Sequence, residues 1–81
     1  MGIKMEYDII VPKVSNDSKV GIIVRWYKED GDSVEKNEEV AEVMIEKITL
    51  RVQAPESGRL KIIKKENEEV KEGEVIGKVV K

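Results

Sequence analysis

The chain has 81 residues and a net charge of -2, from 15 basic and 17 acidic side chains. That length sets an expectation of one small domain. It contains no Cys and no His, so disulfides, Cys-based metal sites, the commonest metal ligand and the commonest general base are all excluded. The two charge signs are interspersed, and Tyr7, Trp26 and Tyr27 are the whole aromatic complement, which argues against nucleic acid as a partner.

Nothing at the start resembles a signal peptide, since the apolar run Ile9 to Val11 is far too short. No apolar run approaches a membrane span. The expectation is a cytoplasmic domain of residues 1–81 with its core over about 6–80. A core this small, with no disulfide or metal, needs a regular and well-packed architecture.

In chain order, short Val-, Ile- and Leu-rich runs alternate with Gly and Asn at Gly21, Gly31, Asn37, Gly58, Asn67, Gly73 and Gly77. This spacing predicts many short strands, hence a sandwich or barrel. The predicted strands are Tyr7–Val11, Val20–Tyr27, Val40–Ile45, Ile48–Ala54, Arg59–Lys64 and Val75–Val80, with short extended pieces near Val34 and Val70. Over Ile48–Ala54 the alternation puts Ile48, Leu50, Val52 and Ala54 on one face.

One segment reads two ways. SVEKNEEVAEVMIEK, from Ser33, is rich in helix formers, and Asp32 with Glu35 mimics a capping box. An internal repeat decides for strand. GIIVRWYKEDGDSVEKNEEVAEVM aligns with GRLKIIKKENEEVKEGEVIGKVV. Gly21 matches Gly58. After a one-residue slip, Val34 matches Val70, Glu38 matches Glu74, Val40 matches Ile76 and Val43 matches Val79. The second copy carries Gly73 and Gly77 inside the segment, which a helix tolerates poorly. Gly31 faces Asn67 and Asn37 faces Gly73, so one turn geometry, of the left-handed kind these residues favour, is written in both halves. The chain therefore reads as two similar halves, a quasi-two-fold β-sandwich.

The halves meet in VMIEKITLRV, where Glu46-Lys47 interrupts an apolar run with no Gly, Asn or Pro. A two-residue hairpin favours turns with positive φ, which Glu-Lys fits badly, whereas a type I turn accepts most residues. The expectation is a type I turn that lifts Lys47 to the tip of a hairpin. Most of the other basic residues simply face solvent. Lys47 differs because it lies at the junction of the repeat.

Three segments resemble the lipoyl domains of 2-oxo acid dehydrogenase complexes, within the biotinyl/lipoyl carrier group. They are DIIVPKV, then GIIVRWYKEDGDSVEKNEEVAEV, then EKITLRVQAPESGRL, and together they cover nearly the whole chain. The resemblance implies a flattened β-barrel or sandwich of two four-stranded antiparallel sheets. It implies lipoate in amide linkage on Lys47, with Glu46 in the place of the usual Asp, Gly31 and Gly58 as turn glycines, and Pro55 in the turn after the hairpin. It implies a monomeric, non-catalytic carrier, part of or partner to a dihydrolipoamide acyltransferase. Its partners would be a lipoate ligase or lipoyl transferase, a thiamine-dependent 2-oxo acid decarboxylase, the acyltransferase core and dihydrolipoamide dehydrogenase.

The chain departs from the family pattern at further places, among them Asn37, which replaces a common Gly. Met44 stands where the family often has a Glu that the modifying enzyme reads, and Ser15 stands where the loop after the first strand usually opens with Gly. The nearest alternative is a biotin carrier, whose lysine is flanked by Met on both sides. Here the neighbours are Glu46 and Ile48. An unmodified interaction module is the alternative from another class. A catalytic role is a distant third reading, because Ser15, Ser18, Ser33 and Ser57 have no imidazole to activate them.

Overall fold

A computed structural model describes residues 3–14, 17 and 19–81. Its strands are β1 (Glu6–Ile10), β2 (Val20–Trp26), β3 (Ser33–Val34), β4 (Glu39–Ile45), β5 (Ile48–Gln53), β6 (Gly58–Ile62), β7 (Glu69–Lys71) and β8 (Val75–Val80). They form two four-stranded sheets, ordered β1-β8-β6-β3 and β5-β4-β2-β7. Every paired neighbour is antiparallel. The sheets stay separate, so the fold is a flattened sandwich.

The strand orders display the quasi-two-fold relation read from the repeat. β5, β4, β2 and β7 take the places of β1, β8, β6 and β3. Residues matched in the repeat fill matched places in the core: Val34 with Val70, Val40 with Ile76 and Val43 with Val79 are all buried. The helix alternative for the Ser33 segment fails for a local reason. The Asp32 carboxylate does not cap forward toward Glu35. It accepts from the backbone N–H of Glu29, at 2.8 Å, and so closes a turn behind it.

That turn occurs four times, as EDGD (29–32), EKNE (35–38), KENE (65–68) and KEGE (71–74). In each, the third residue has positive φ: 93° at Gly31, 71° at Asn37, 71° at Asn67 and 82° at Gly73. In each, the fourth residue is acidic, and its carboxylate accepts from the N–H of the first. The third residue's N–H then reaches a carbonyl across the fold, in a strand or just past the end of one. Gly31 donates to Leu60 and Asn67 to Ile23, while Asn37 donates to Ala54 and Gly73 to Val11. These turns thus link different strands through backbone groups that would otherwise go unpaired.

The turn acids carry a pH dependence. The backbone N–H of Glu35 holds the Glu38 carboxyl below its ordinary value, and the N–H of Lys71 does the same for Glu74. A carboxyl whose folded pKa is depressed contributes stability above its unfolded pKa, and that stability is lost as pH falls through the folded value. Thermal melts are expected to hold steady from pH 7 to about 5 and to fall below the ordinary carboxylate range near 4.3. The Glu38→Gln/Glu74→Gln pair should start lower at pH 7 and show a shallower acid decline. An acid decline as steep as in the unsubstituted protein would remove these two turns as its source.

Candidate functional site at the β4–β5 hairpin

β4 and β5 pair from Glu39–Gln53 up to Ile45–Ile48, which leaves Glu46 and Lys47 as the two turn residues. Alternation decides what anchors them. Val43 and Ile45 point inward and are buried, so the core supports the hairpin up to its last rung. On β5 the inward face runs out of the core toward the tip: Val52 and Ala54 are buried, Leu50 is half-buried, and Ile48 is exposed. Lys47 is exposed, and none of the described residues holds its amine.

The turn is not type I. Glu46 has φ 56°, whereas type I requires negative φ at that position. Positive φ at the first turn residue alone matches a type II′ hairpin, which suits the twist of the flanking strands and usually takes Gly there. Among the described residues with φ between 50° and 100°, Glu46 alone is neither Gly nor Asn. A left-handed residue with a Cβ costs about 1–2 kcal/mol. Glu46→Gly is therefore expected to leave stability unchanged or to raise it by up to about 1 kcal/mol, as read by urea denaturation. A loss above that size would show that the Glu46 side chain contributes more than its backbone costs.

The side chain does have a partner. Lys19 Nζ lies 2.8 Å from Glu46 Oε1, and the Glu46 carboxylate holds the Lys19 ammonium above its ordinary range. Lys19 belongs to the connection between β1 and β2, so this contact ties that loop to the tip. The loop is itself pinned by Glu72, which is 7% exposed. Its carboxylate accepts from the backbone N–H of Lys19 at 2.7 Å and from that of Val14, and its own N–H donates to the Lys19 carbonyl at 3.1 Å.

Of the residues singled out in sequence, Glu46, Lys47 and Met44 come together at the tip. Gly31 and Gly58 do not. Gly31 lies in the turn before β3, as expected. Gly58 is not a turn residue: it opens β6 and pairs with Val34. It nevertheless has φ 154°, which side chains rarely adopt, and it is closely packed as well, since an added Cβ would sit 2.5 Å from the Val80 carbonyl oxygen. Gly21, its repeat partner, has the same packing constraint, with the Met44 oxygen at 2.6 Å. Pro55 lies in the bend between β5 and β6. Ser15 falls outside the described residues.

Lys19 and Glu72 are functional neighbours that the sequence does not single out. The repeat does not mark Glu72: it is set against Lys36, but Lys71 is likewise set against Glu35 although both donate in equivalent turns.

The biotin/lipoyl family model, described as "Biotin-requiring enzyme", matches residues 7–79. The chain belongs to the biotinyl/lipoyl family. Within that family it is similar to the dihydrolipoyllysine-residue succinyltransferase component of the 2-oxoglutarate dehydrogenase complex of Rickettsia conorii, at 42% identity over 76 residues. That alignment takes in 93% of this chain and 19% of the relative. The acetyltransferase component of the acetoin cleaving system of Bacillus subtilis is 42% identical over 73 residues, covering 89% of this chain and 18% of that protein. This biotinyl/lipoyl chain thus spans under a fifth of the length of either relative. In structure it is similar to the lipoyl domain of the 2-oxoglutarate dehydrogenase complex from Azotobacter vinelandii, with TM-score 0.73 and 28% identity. The match covers 91% of this chain and 95% of that domain. These neighbours place the chain on the lipoyl side of the family, and no helix among its described residues is long and apolar enough to cross a membrane.

Proposed function

We propose that Lys47 carries lipoate in amide linkage and that the chain serves as a swinging-arm carrier between the active sites of a 2-oxo acid dehydrogenase complex. One observation carries the assignment to Lys47. The hairpin is supported by core residues up to Ile45, takes a backbone turn that favours Gly, and still places an unengaged lysine amine at its tip. The site fits the group: a flexible four-carbon stem projects from a rigid base, and its amine is free to be acylated.

Bound lipoate would supply a disulfide that accepts an acyl group together with electrons. The chain's own contribution is position and reach. Acylation removes the lysine charge, which lowers the cost of entering apolar active sites. The rigid hairpin sets the origin of the arm, and tethering raises the effective concentration of the group at each site it visits. Biotin is the weaker reading, because Glu46 and Ile48 flank the lysine where Met residues would be expected.

The same reading takes residues 1–81 as one carrier domain, monomeric and cytoplasmic, that is part of or partner to a dihydrolipoamide acyltransferase. Its substrates would be delivered by a thiamine-dependent decarboxylase and its arm reoxidised by dihydrolipoamide dehydrogenase. A lipoate ligase or lipoyl transferase would load it, with Glu46 and Met44 at the surface that enzyme meets. The test is intact mass after incubation with lipoate or biotin and the corresponding ligase. A lipoyl-sized gain supports the reading. A biotin-sized gain moves the function to carboxyl transfer.

A further inference from the structure

The outer face of the β5-β4-β2-β7 sheet carries an unpartnered apolar cleft beside the tip. Val20, Ile22 and Met44 are 45%, 47% and 44% exposed, although each is a large apolar side chain within a strand. They are contiguous, because Ile22 pairs directly with Met44 and Val20 lies two residues along β2 on the same face. With Gly21, Glu46 and Glu69 they line a cleft of about 280 Å3. The departure from the family at Met44 helps to make this surface apolar.

We propose that this cleft is the resting place of the chain's own acylated Lys47 arm. The inference rests on the lipoyl reading of Lys47. It commits to that occupant for reasons of reach and chemistry. Met44 is one rung below the closing Ile45–Ile48 pair, so its place in the strand is at most about 10 Å from Lys47, three residues at ~3.4 Å per residue along the chain. A lysine stem extended by an acyl chain of similar length spans that distance. Glu46, next to Lys47 in the turn, lines the same cleft, which is therefore continuous with the point of attachment.

The free lysine is charged and stays hydrated. The acylated arm is neutral and apolar, and it gains by covering apolar surface. Glu69 adds a negative charge at the cleft that disfavours an anionic occupant and leaves a neutral one unaffected, while the charge of Glu46 is balanced by Lys19. Met44 adapts its shape to a sulfur-bearing chain more readily than a branched residue does. Tethering makes a weak contact sufficient, since the arm never leaves the neighbourhood of the cleft. The rested arm would exchange with the extended one, so the cleft would hold the group back from solvent between visits.

Methyl-labelled protein, with and without lipoate, tests this by NMR after intact mass has confirmed complete loading. Lipoylation is expected to shift the methyls of Met44, Ile22 and Val20 and to give cross-peaks between them and the arm's methylenes. Ile63, exposed outside the cleft, should not move. Ile22→Thr, which keeps a strand-forming residue, should weaken the cross-peaks at least severalfold in the fully loaded protein. Complete loading with shifts confined to residues 46–48 overturns the proposal and leaves the lipoyl reading standing. Slower loading of Ile22→Thr without any arm contacts overturns it too, and assigns the cleft to the modifying enzyme. Absence of any lipoyl mass gain removes the lipoyl reading and this inference together.

Discussion

Lys47→Arg is expected to abolish the lipoyl mass gain completely while changing stability by less than about 0.5 kcal/mol. The two expectations follow from separate observations. Lys47 is exposed and none of the described residues engages it, so folding loses nothing when its head group changes. Arg keeps the charge and the reach, but its guanidinium stays protonated and forms no ordinary amide under the conditions in which an amine does. The comparison therefore isolates nucleophilic chemistry from charge and fold. The other lysines are an internal control, because they remain available in the variant. A persisting full mass gain would mean that the modification is not confined to the tip, and the carrier assignment at Lys47 would fall. Thermal melts beside the mass spectra separate this from misfolding.

The parts of the fold that could be read in sequence are those written in backbone preference and burial. Ile48–Ala54 alternates, Val40 and Val43 repeat as Ile76 and Val79, and Gly31, Asn67, Asn37 and Gly73 mark one turn made four times. Each is a local signal backed by a second copy, and the predicted strands differ from the observed ones by at most two residues at an end. What could not be read depends on side chains meeting across sequence. Lys19 and Glu46 are brought together by the fold, with no periodicity to announce them. Glu72 looks like another surface acid until its carboxylate is seen holding the loop through Val14 and Lys19. At the β4–β5 turn residue preference points to type I, and the structure has positive φ at Glu46 instead. Strand twist overrides that preference and forces Glu46 into positive φ.

The glycines carry the second large expected effect, and the structure separates two positions that sequence treats alike. Both have positive φ, 93° at Gly31 and 154° at Gly58, so a side chain is strained at either, and what separates them is space. At Gly31 an added Cβ meets nothing within 4 Å, so its cost comes from φ 93° alone. That cost is about 1–2 kcal/mol, and Gly31→Asn should cost less still, because Asn37 and Asn67 fill equivalent turns at φ 71°. At Gly58 even Ala places its Cβ 2.5 Å from the Val80 carbonyl oxygen and 2.8 Å from a Val79 methyl. Val79 is fully buried, and the oxygen belongs to the β6–β8 pairing, so neither yields without opening the sheet. Gly58→Ala is expected to cost about 3 kcal/mol or more, and Gly58→Val to leave no cooperative transition in a domain of this size. At about 4–8 °C per kcal/mol, Gly31→Val should lower Tm by roughly 5–15 °C and Gly58→Ala by about 12 °C or more. Gly31→Asn sets the baseline. Equal losses at the two positions, read by circular dichroism melts, would mean that backbone angle alone governs both and that the close approach of β6 to β8 relaxes at little cost.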